Sequence, residues 1–194
     1  MMMAQIQQEK DKLDLTPKKF NMWIFIFTSF MFFAALTSGF IVYSGGKGHA
    51  LNLTLPSVFL YSTITIAVSS ITMFLSSRAA KTLQFGQQRM FLWLTILLGI
   101  AFFAIQIYGW GILIDKQIYF INPNASVSFV YVFTAMHLIH ILAGLLLLVN
   151  TLVKSYRNTA QVKNLYNMEM SAIFWHFVDI IWIYLYVFLL LNQN

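Results

Sequence analysis

Long stretches with no charged residue, or with a single one, run along almost the whole chain and are separated by short charged segments. The five longest cover residues 20–46, 48–77, 90–114, 117–153 and 170–194, of which only the last holds an acidic residue, Asp179. A helix needs roughly 20 apolar residues to cross the hydrocarbon core of a membrane, so each stretch is long enough for one span. The pattern therefore predicts five membrane-spanning helices.

The predicted helices use nearly all of the chain. A transmembrane β-barrel is excluded because the apolar runs are continuous and do not alternate with a period of two. The fold class is therefore all-α, a polytopic membrane bundle at 20–194 that follows a cytoplasmic segment at 1–19. We place the helices at about 20–43, 56–78, 90–114, 127–153 and 170–191.

The composition and the charge pattern fix the class and the orientation. Hydrophobic residues make up 59% of the chain and charged residues 9%, whereas soluble domains carry about 25% charged residues. Ten of the 12 Lys and Arg residues lie before the first predicted helix or in the connections after the second and fourth. The positive-inside rule then places the N-terminus in the cytoplasm and the C-terminus in the periplasm. The same placement accounts for the net charge of +6 without a nucleic-acid partner.

Candidate chemistry is confined to a few polar side chains inside the predicted spans. The chain has no cysteine, which excludes disulfides, thiolate metal sites, c-type haem attachment and cysteine nucleophiles. An ionisable group in the bilayer core costs several kcal/mol, so it normally faces the bundle interior and has a partner. The candidates are Gln106 in the third span, His137 and His140 in the fourth, and His176 and Asp179 in the fifth.

The polar residues of the fourth and fifth spans form two pairs, and their positions predict that the pairs lie at a similar depth. His137 and His140 are three positions apart, as are His176 and Asp179, so each pair shares one helix face. His140 lies about 20 Å below the outer edge and His176 about 9 Å above the inner edge of a core about 30 Å thick. Antiparallel neighbours would set His137 beside Asp179. We therefore predict one interhelical polar cluster.

Three functions are compatible with such a cluster. A haem b bound between His140 and His176 would make the chain an electron-transfer subunit, since imidazole is a common axial ligand. A proton or ion path would use the same side chains as relays. A hydrogen-bond network would simply hold two helices together. The residues alone leave these alternatives open.

Several motifs resemble subunit III of the haem-copper oxidases. The stretch FWHFVDIIWIYLYVFLL resembles the last helix of that family, and Glu169 stands seven residues before His176, where the family usually has a glutamate. TAMHLIHILAG at 134–144 is similar to the family's H-x-x-H helix, and RMFLWLTILLGIAFFAIQ at 89–106 is similar to its helix with a terminal glutamine. The resemblance extends, in the family's order, over most of the chain. Five spans match its short bacterial form.

Two positions depart from that family. A glutamate commonly follows the Thr-Ser pair of the first of these helices, and here IFTSFMFF places Phe30 there. A second glutamate often stands three residues after the third-helix glutamine, where this chain has Gly109. No role of those carboxylates in lipid binding or proton uptake carries over to this chain.

The resemblance implies an accessory subunit of a respiratory terminal oxidase, with no catalytic centre of its own, in a bacterial inner membrane. Haem and copper would then belong to partner subunits, namely oxidase subunits I and II, and phospholipid would be bound. Assembly into a respiratory supercomplex is compatible with this role. The rivals are a b-type cytochrome anchor that uses His140 and His176, and a small proton or ion transporter. The resemblance implies that the polar candidates make interhelical or lipid-facing contacts and are not metal ligands. They are Gln106, His137, His140, Glu169, His176 and Asp179.

Overall fold

The fold is a bundle of five long helices in the computed structural model, which describes residues 16–45, 51, 55–156 and 161–193. All five are long and apolar enough to cross a membrane. The prediction of five spans is therefore confirmed for the described residues, while most of the predicted segment 1–19 lies outside them. The helices are α1 (Thr16–Ser44), α2 (Val58–Lys81), α3 (Phe85–Asp115), α4 (Ala125–Tyr156) and α5 (Gln161–Asn192).

The helices continue beyond the apolar runs that predicted them. α5 begins at Gln161, not at about 170, and α3 begins at Phe85, not at about 90. The additional residues 161–169 of α5 include Asn164, which is buried and bonded to a side chain of α3. Tertiary contacts thus keep polar residues in the helix that hydropathy alone would assign to a connection.

Four helices form a ring and the fifth lies on its outside. α2 packs against α3, α3 against α4, α4 against α5, and α5 against α2, whereas α1 packs only against α4 and α5 among the described residues. α1 is accordingly the least buried of the five spans. α5 contacts three other helices, and the candidate residues of the WHFVD motif therefore lie near the centre of the packing.

Two helices end in a tight turn at a residue with left-handed backbone geometry. Leu83 after α2 has φ 60° and Gln117 after α3 has φ 62°. In the turn after α2, the Gln84 N–H donates to the Ala79 carbonyl at 3.0 Å and the Leu83 N–H donates to the Ala80 carbonyl at 3.3 Å. This is the hydrogen-bond pattern of a Schellman motif, in which glycine usually holds the left-handed position. In this protein, leucine and glutamine hold the left-handed position in the two turns.

Candidate functional site

Two serine–histidine pairs lie half-way along the spans. His140 bonds through Nε2 to Ser29 Oγ of α1 at 3.3 Å, and His176 bonds through Nδ1 to Ser70 Oγ of α2 at 2.7 Å. Each of these four residues is close to the midpoint of its helix. The pairs therefore lie at similar depth, but they join different helices.

Asp179 follows His176 by one helical turn and is almost completely buried, with 2% of its surface exposed. Neither carboxyl oxygen has a hydrogen-bond partner among the described residues. The Ser70 hydroxyl also lies close to this carboxyl group, but its hydrogen bond is made with His176. Ser70, His176 and Asp179 thus form a small polar group on the α2 side of α5.

His137 lies in an aromatic cage inside the bundle. It has no exposed surface, and its ring lies 5.0 Å from the ring of Trp182, 5.8 Å from Phe102 and 6.4 Å from Phe33, measured between centroids. Both ring nitrogens lack a hydrogen-bond partner among the described residues. The cage holds the imidazole by packing.

Gln106 and Glu169 each make one contact to another helix. Gln106 Nε2 donates to Ser62 Oγ of α2 at 2.9 Å, while its Oε1 has no partner among the described residues. Glu169 Oε2 pairs with Lys19 Nζ of α1 at 2.9 Å, and both side chains are about half exposed. The first contact lies in the core, whereas the second lies on the surface near one end of the bundle.

These contacts correct the expected arrangement of the candidate residues. The described hydrogen bonds join none of His137, His140, His176 and Asp179 to one another, so the expected single cluster is replaced by separate contacts to α1, to α2 and to aromatic rings. His140 of α4 faces α1, whereas His176 of α5 faces α2, so the two side chains bond to helices that do not pack against each other among the described residues. Both nitrogens of His140 are already engaged, because Nδ1 also bonds to the Met136 carbonyl at 2.8 Å. The arrangement gives no support to His140 and His176 as a facing pair of haem ligands.

Trp175 occupies a slot between two glycines that belong to neighbouring helices. A Cβ atom on Gly99 of α3 would lie 2.7 Å from Cη2 of the indole, and one on Gly144 of α4 would lie 3.0 Å from its Cε3. The indole Nε1 donates to Ser69 Oγ of α2 at 3.0 Å. One side chain of α5 therefore contacts all three other helices of the ring.

Two further polar contacts lie where α3 begins, and the sequence offered no motif for them. The buried carboxamides of Gln88 and Asn164 bond reciprocally, at 3.3 Å and 3.2 Å. Arg89 donates to the carbonyl and the hydroxyl of Ser155 at the end of α4, and its guanidinium lies 4.5 Å from the centroid of the Tyr156 ring. A cation near a helix C-terminus satisfies carbonyls that have no partner within the helix.

Every packed helix pair is joined by at least one side-chain hydrogen bond. Lipid tails give helices little hydrophobic reason to associate, so close packing and polar contacts must supply the attraction. Most of the bonds use a hydroxyl group, which a helix accommodates easily. Representative bonds are Ser29–His140 for α1–α4, Thr37–Tyr184 for α1–α5, Thr72–Thr95 for α2–α3, Trp182–Thr63 for α2–α5, Trp110–Thr134 for α3–α4 and Thr151–Ser171 for α4–α5.

The two positions that depart from the resembled family have different surroundings. Phe30 lies on the surface of α1 with 55% of its area exposed. Gly109 is buried, and a Cβ there would lie 3.4 Å from Cε2 of Phe59. The Phe59 ring thus occupies the space beside Gly109, so a side chain larger than alanine at this position would meet that ring.

Comparison with known proteins identifies the family. The family model described as cytochrome c oxidase subunit III matches residues 4–192. Cytochrome c oxidase subunit 3 of Alkalihalophilus pseudofirmus is 24% identical over 92% of this chain and 88% of the relative. The cytochrome bo(3) ubiquinol oxidase subunits 3 of Buchnera aphidicola and Pseudomonas aeruginosa are 27% and 30% identical, over 94% and 84% of this chain and 90% and 79% of each relative. The chain therefore belongs to the cytochrome c oxidase subunit III family.

Proposed function

We propose that this chain is the accessory subunit III of a respiratory haem-copper terminal oxidase. The observation that carries the proposal is the family match over residues 4–192, a range that contains all five helices. In this role the chain assembles with subunits I and II, which hold the haem and copper. The complex lies in a bacterial inner membrane and reduces oxygen.

The contacts of the polar residues support a stabilising role. His140, His176, Gln106 and Glu169 each bond to a side chain of a different helix. These side chains are used to hold the bundle together. A rigid bundle of this kind covers one face of the catalytic subunit and keeps it in shape during turnover.

The ends of the helices support a cytoplasmic N-terminus. Lys19, Arg89 and Lys163 lie within about the first turn of α1, α3 and α5, whereas Lys81 and Lys154 lie in the last turn of α2 and α4. In an antiparallel bundle these positions lie on one side of the membrane. Basic residues are concentrated on the cytoplasmic side of bacterial inner-membrane proteins, which favours a periplasmic C-terminus.

The outer face of α1 supports contact with phospholipid. Phe20, Phe27, Met31 and Val42 project from it with more than half of their surface exposed. The aromatic and aliphatic atoms match acyl chains in polarity. The partly exposed pair of Lys19 and Glu169 lies at the cytoplasmic end of α1, where it can contact lipid headgroups.

Purification through this chain tests the proposed function. We expect a tag at the C-terminus, in mild detergent, to recover a many-span haem protein together with a second oxidase subunit, as identified by mass spectrometry. The purified material should show a haem spectrum that scales with the large subunit and not with this chain. Recovery of the chain alone, or with a dehydrogenase, would contradict the proposal. Cells with the untagged chain are the control.

A further inference from the structure

A groove runs along the outer surface of α5 between α1 and α2. The two flanking helices do not pack against each other among the described residues, although both pack against α5. α1 bonds to one side of α5 through Thr37 and Tyr184, and α2 bonds to the other side through Ser70 and His176. The surface of α5 between these contacts forms the floor of the groove.

The floor has the spacing of a helix-docking surface. His176, Ile180, Ile183 and Val187 recur along one face of α5, and the three aliphatic residues are 64%, 42% and 44% exposed. At one end the Leu55 N–H donates to Oε1 of Gln193 at 2.9 Å, so the connection between α1 and α2 crosses the groove there. The groove is otherwise uncovered in the described part of the chain.

A polar side chain, His176, lies in the middle of this groove. It is only partly buried, and its Nε2 has no hydrogen-bond partner among the described residues. The neighbouring Asp179 is almost completely buried on the α2 side and does not line the groove. His176 is half-way along α5, a helix of 32 residues and therefore about 48 Å long. Its imidazole thus lies near the centre of the membrane.

Lipid does not match this chemistry. The hydrocarbon core is about 30 Å thick, so the polar parts of a phospholipid remain about 15 Å from its centre. An imidazole left against acyl chains at that depth would lose its hydrogen bonds to water without replacement. The outer face of α1, where large aromatic and aliphatic side chains are the most exposed, is the better surface for lipid.

We infer that the groove receives a membrane-spanning helix of another oxidase subunit, which places a hydroxyl or carboxamide side chain against His176. Such a group is neutral and both donates and accepts hydrogen bonds, so it can bond to the imidazole in either tautomer. Burying it costs less than burying a charged side chain. This inference rests on the proposed function and adds to it the face through which the chain assembles.

Photo-crosslinking in membranes that contain the whole complex tests the groove. A benzophenone amino acid replaces Phe74, which lies one turn from Ser70 on α2, or Ile180, which lies one turn from His176 on α5. Matched controls replace Trp93 of α3 or Ile139 of α4, which are also exposed but lie outside the groove. We expect illumination to shift the groove variants, and not the controls, by the mass of one oxidase subunit.

A second experiment tests the polar contact. His176→Phe should lower the amount of partner subunit retained at limiting detergent about tenfold, which corresponds to about 1.4 kcal/mol. His140→Phe removes a bond inside the chain and should leave retention unchanged. Adducts with lipid only, adducts with a second copy of this chain, or partner adducts from the control positions would overturn the groove assignment. If the tagged chain recovers no oxidase subunit, the proposed function fails as well.

Discussion

Gly99→Ala is the sharpest test of how this bundle is packed. The added Cβ would lie 2.7 Å from Cη2 of Trp175 and 2.8 Å from Cδ2 of Leu145, well inside the usual carbon–carbon separation of about 3.5–4.0 Å. The Leu145 methyl group can rotate away. The indole cannot easily follow, because its other edge faces Gly144 and its Nε1 is bonded to Ser69.

The magnitude follows from two opposing terms. Overpacking a well-filled core costs about 1–3 kcal/mol, whereas alanine is favoured over glycine in a helix by about 0.5–1 kcal/mol. Gly111→Ala in the same helix supplies the matched control, since nothing lies within 4 Å of the added Cβ. We therefore expect Gly99→Ala to be less stable than Gly111→Ala by about 1–3 kcal/mol.

Unfolding in mixed micelles measures this difference. The free energy of unfolding is obtained from increasing mole fractions of a denaturing detergent, followed by the near-ultraviolet circular dichroism of the tryptophans. In a Trp175→Phe background the clashing indole atoms are absent, so Gly99→Ala should cost less there. Equal stability of the Gly99→Ala and Gly111→Ala proteins would refute the reasoning, as would an unchanged cost in the Trp175→Phe background.

Three more predictions concern local contacts, each measured by the same unfolding assay. Leu83→Gly should raise stability by about 1–2 kcal/mol, because glycine adopts the left-handed backbone without strain; an unchanged midpoint would argue against that geometry. Gln88→Ala should lower stability by about 1–3 kcal/mol, since the Asn164 carboxamide would be left buried without its partner, and replacing both residues by leucine should recover part of the loss. His140→Phe should cost about 0.5–1.5 kcal/mol through the bond to Ser29 and leave the haem spectrum of the complex unchanged; loss of a haem band would implicate His140 as a ligand.

Sequence patterns singled out some of the polar residues that join the helices and missed others for a common reason. His176 and Asp179 stood out because ionisable groups are rare and costly in a membrane, so their presence alone called for an explanation. Ser70, the partner of His176, did not stand out, since hydroxyl residues are common in α2 and a helix tolerates them at little cost. Trp175 was equally inconspicuous in an aromatic-rich span. Its importance comes from Gly99 and Gly144, which belong to two other helices.

The number of spans and the family were determined by the amino-acid sequence itself. A hydrocarbon layer of nearly constant thickness requires apolar runs of a certain length, and the WHFVD helix carries a distinctive local motif, so both could be read without coordinates. The partner of His176 was decided only by tertiary structure. A rotation of α5 about its own axis leaves every apolar run unchanged but turns its polar residues toward a different neighbour. That rotation is set by packing, above all by the fit of Trp175 between the two glycines, and it directs His176 toward α2 and the open groove.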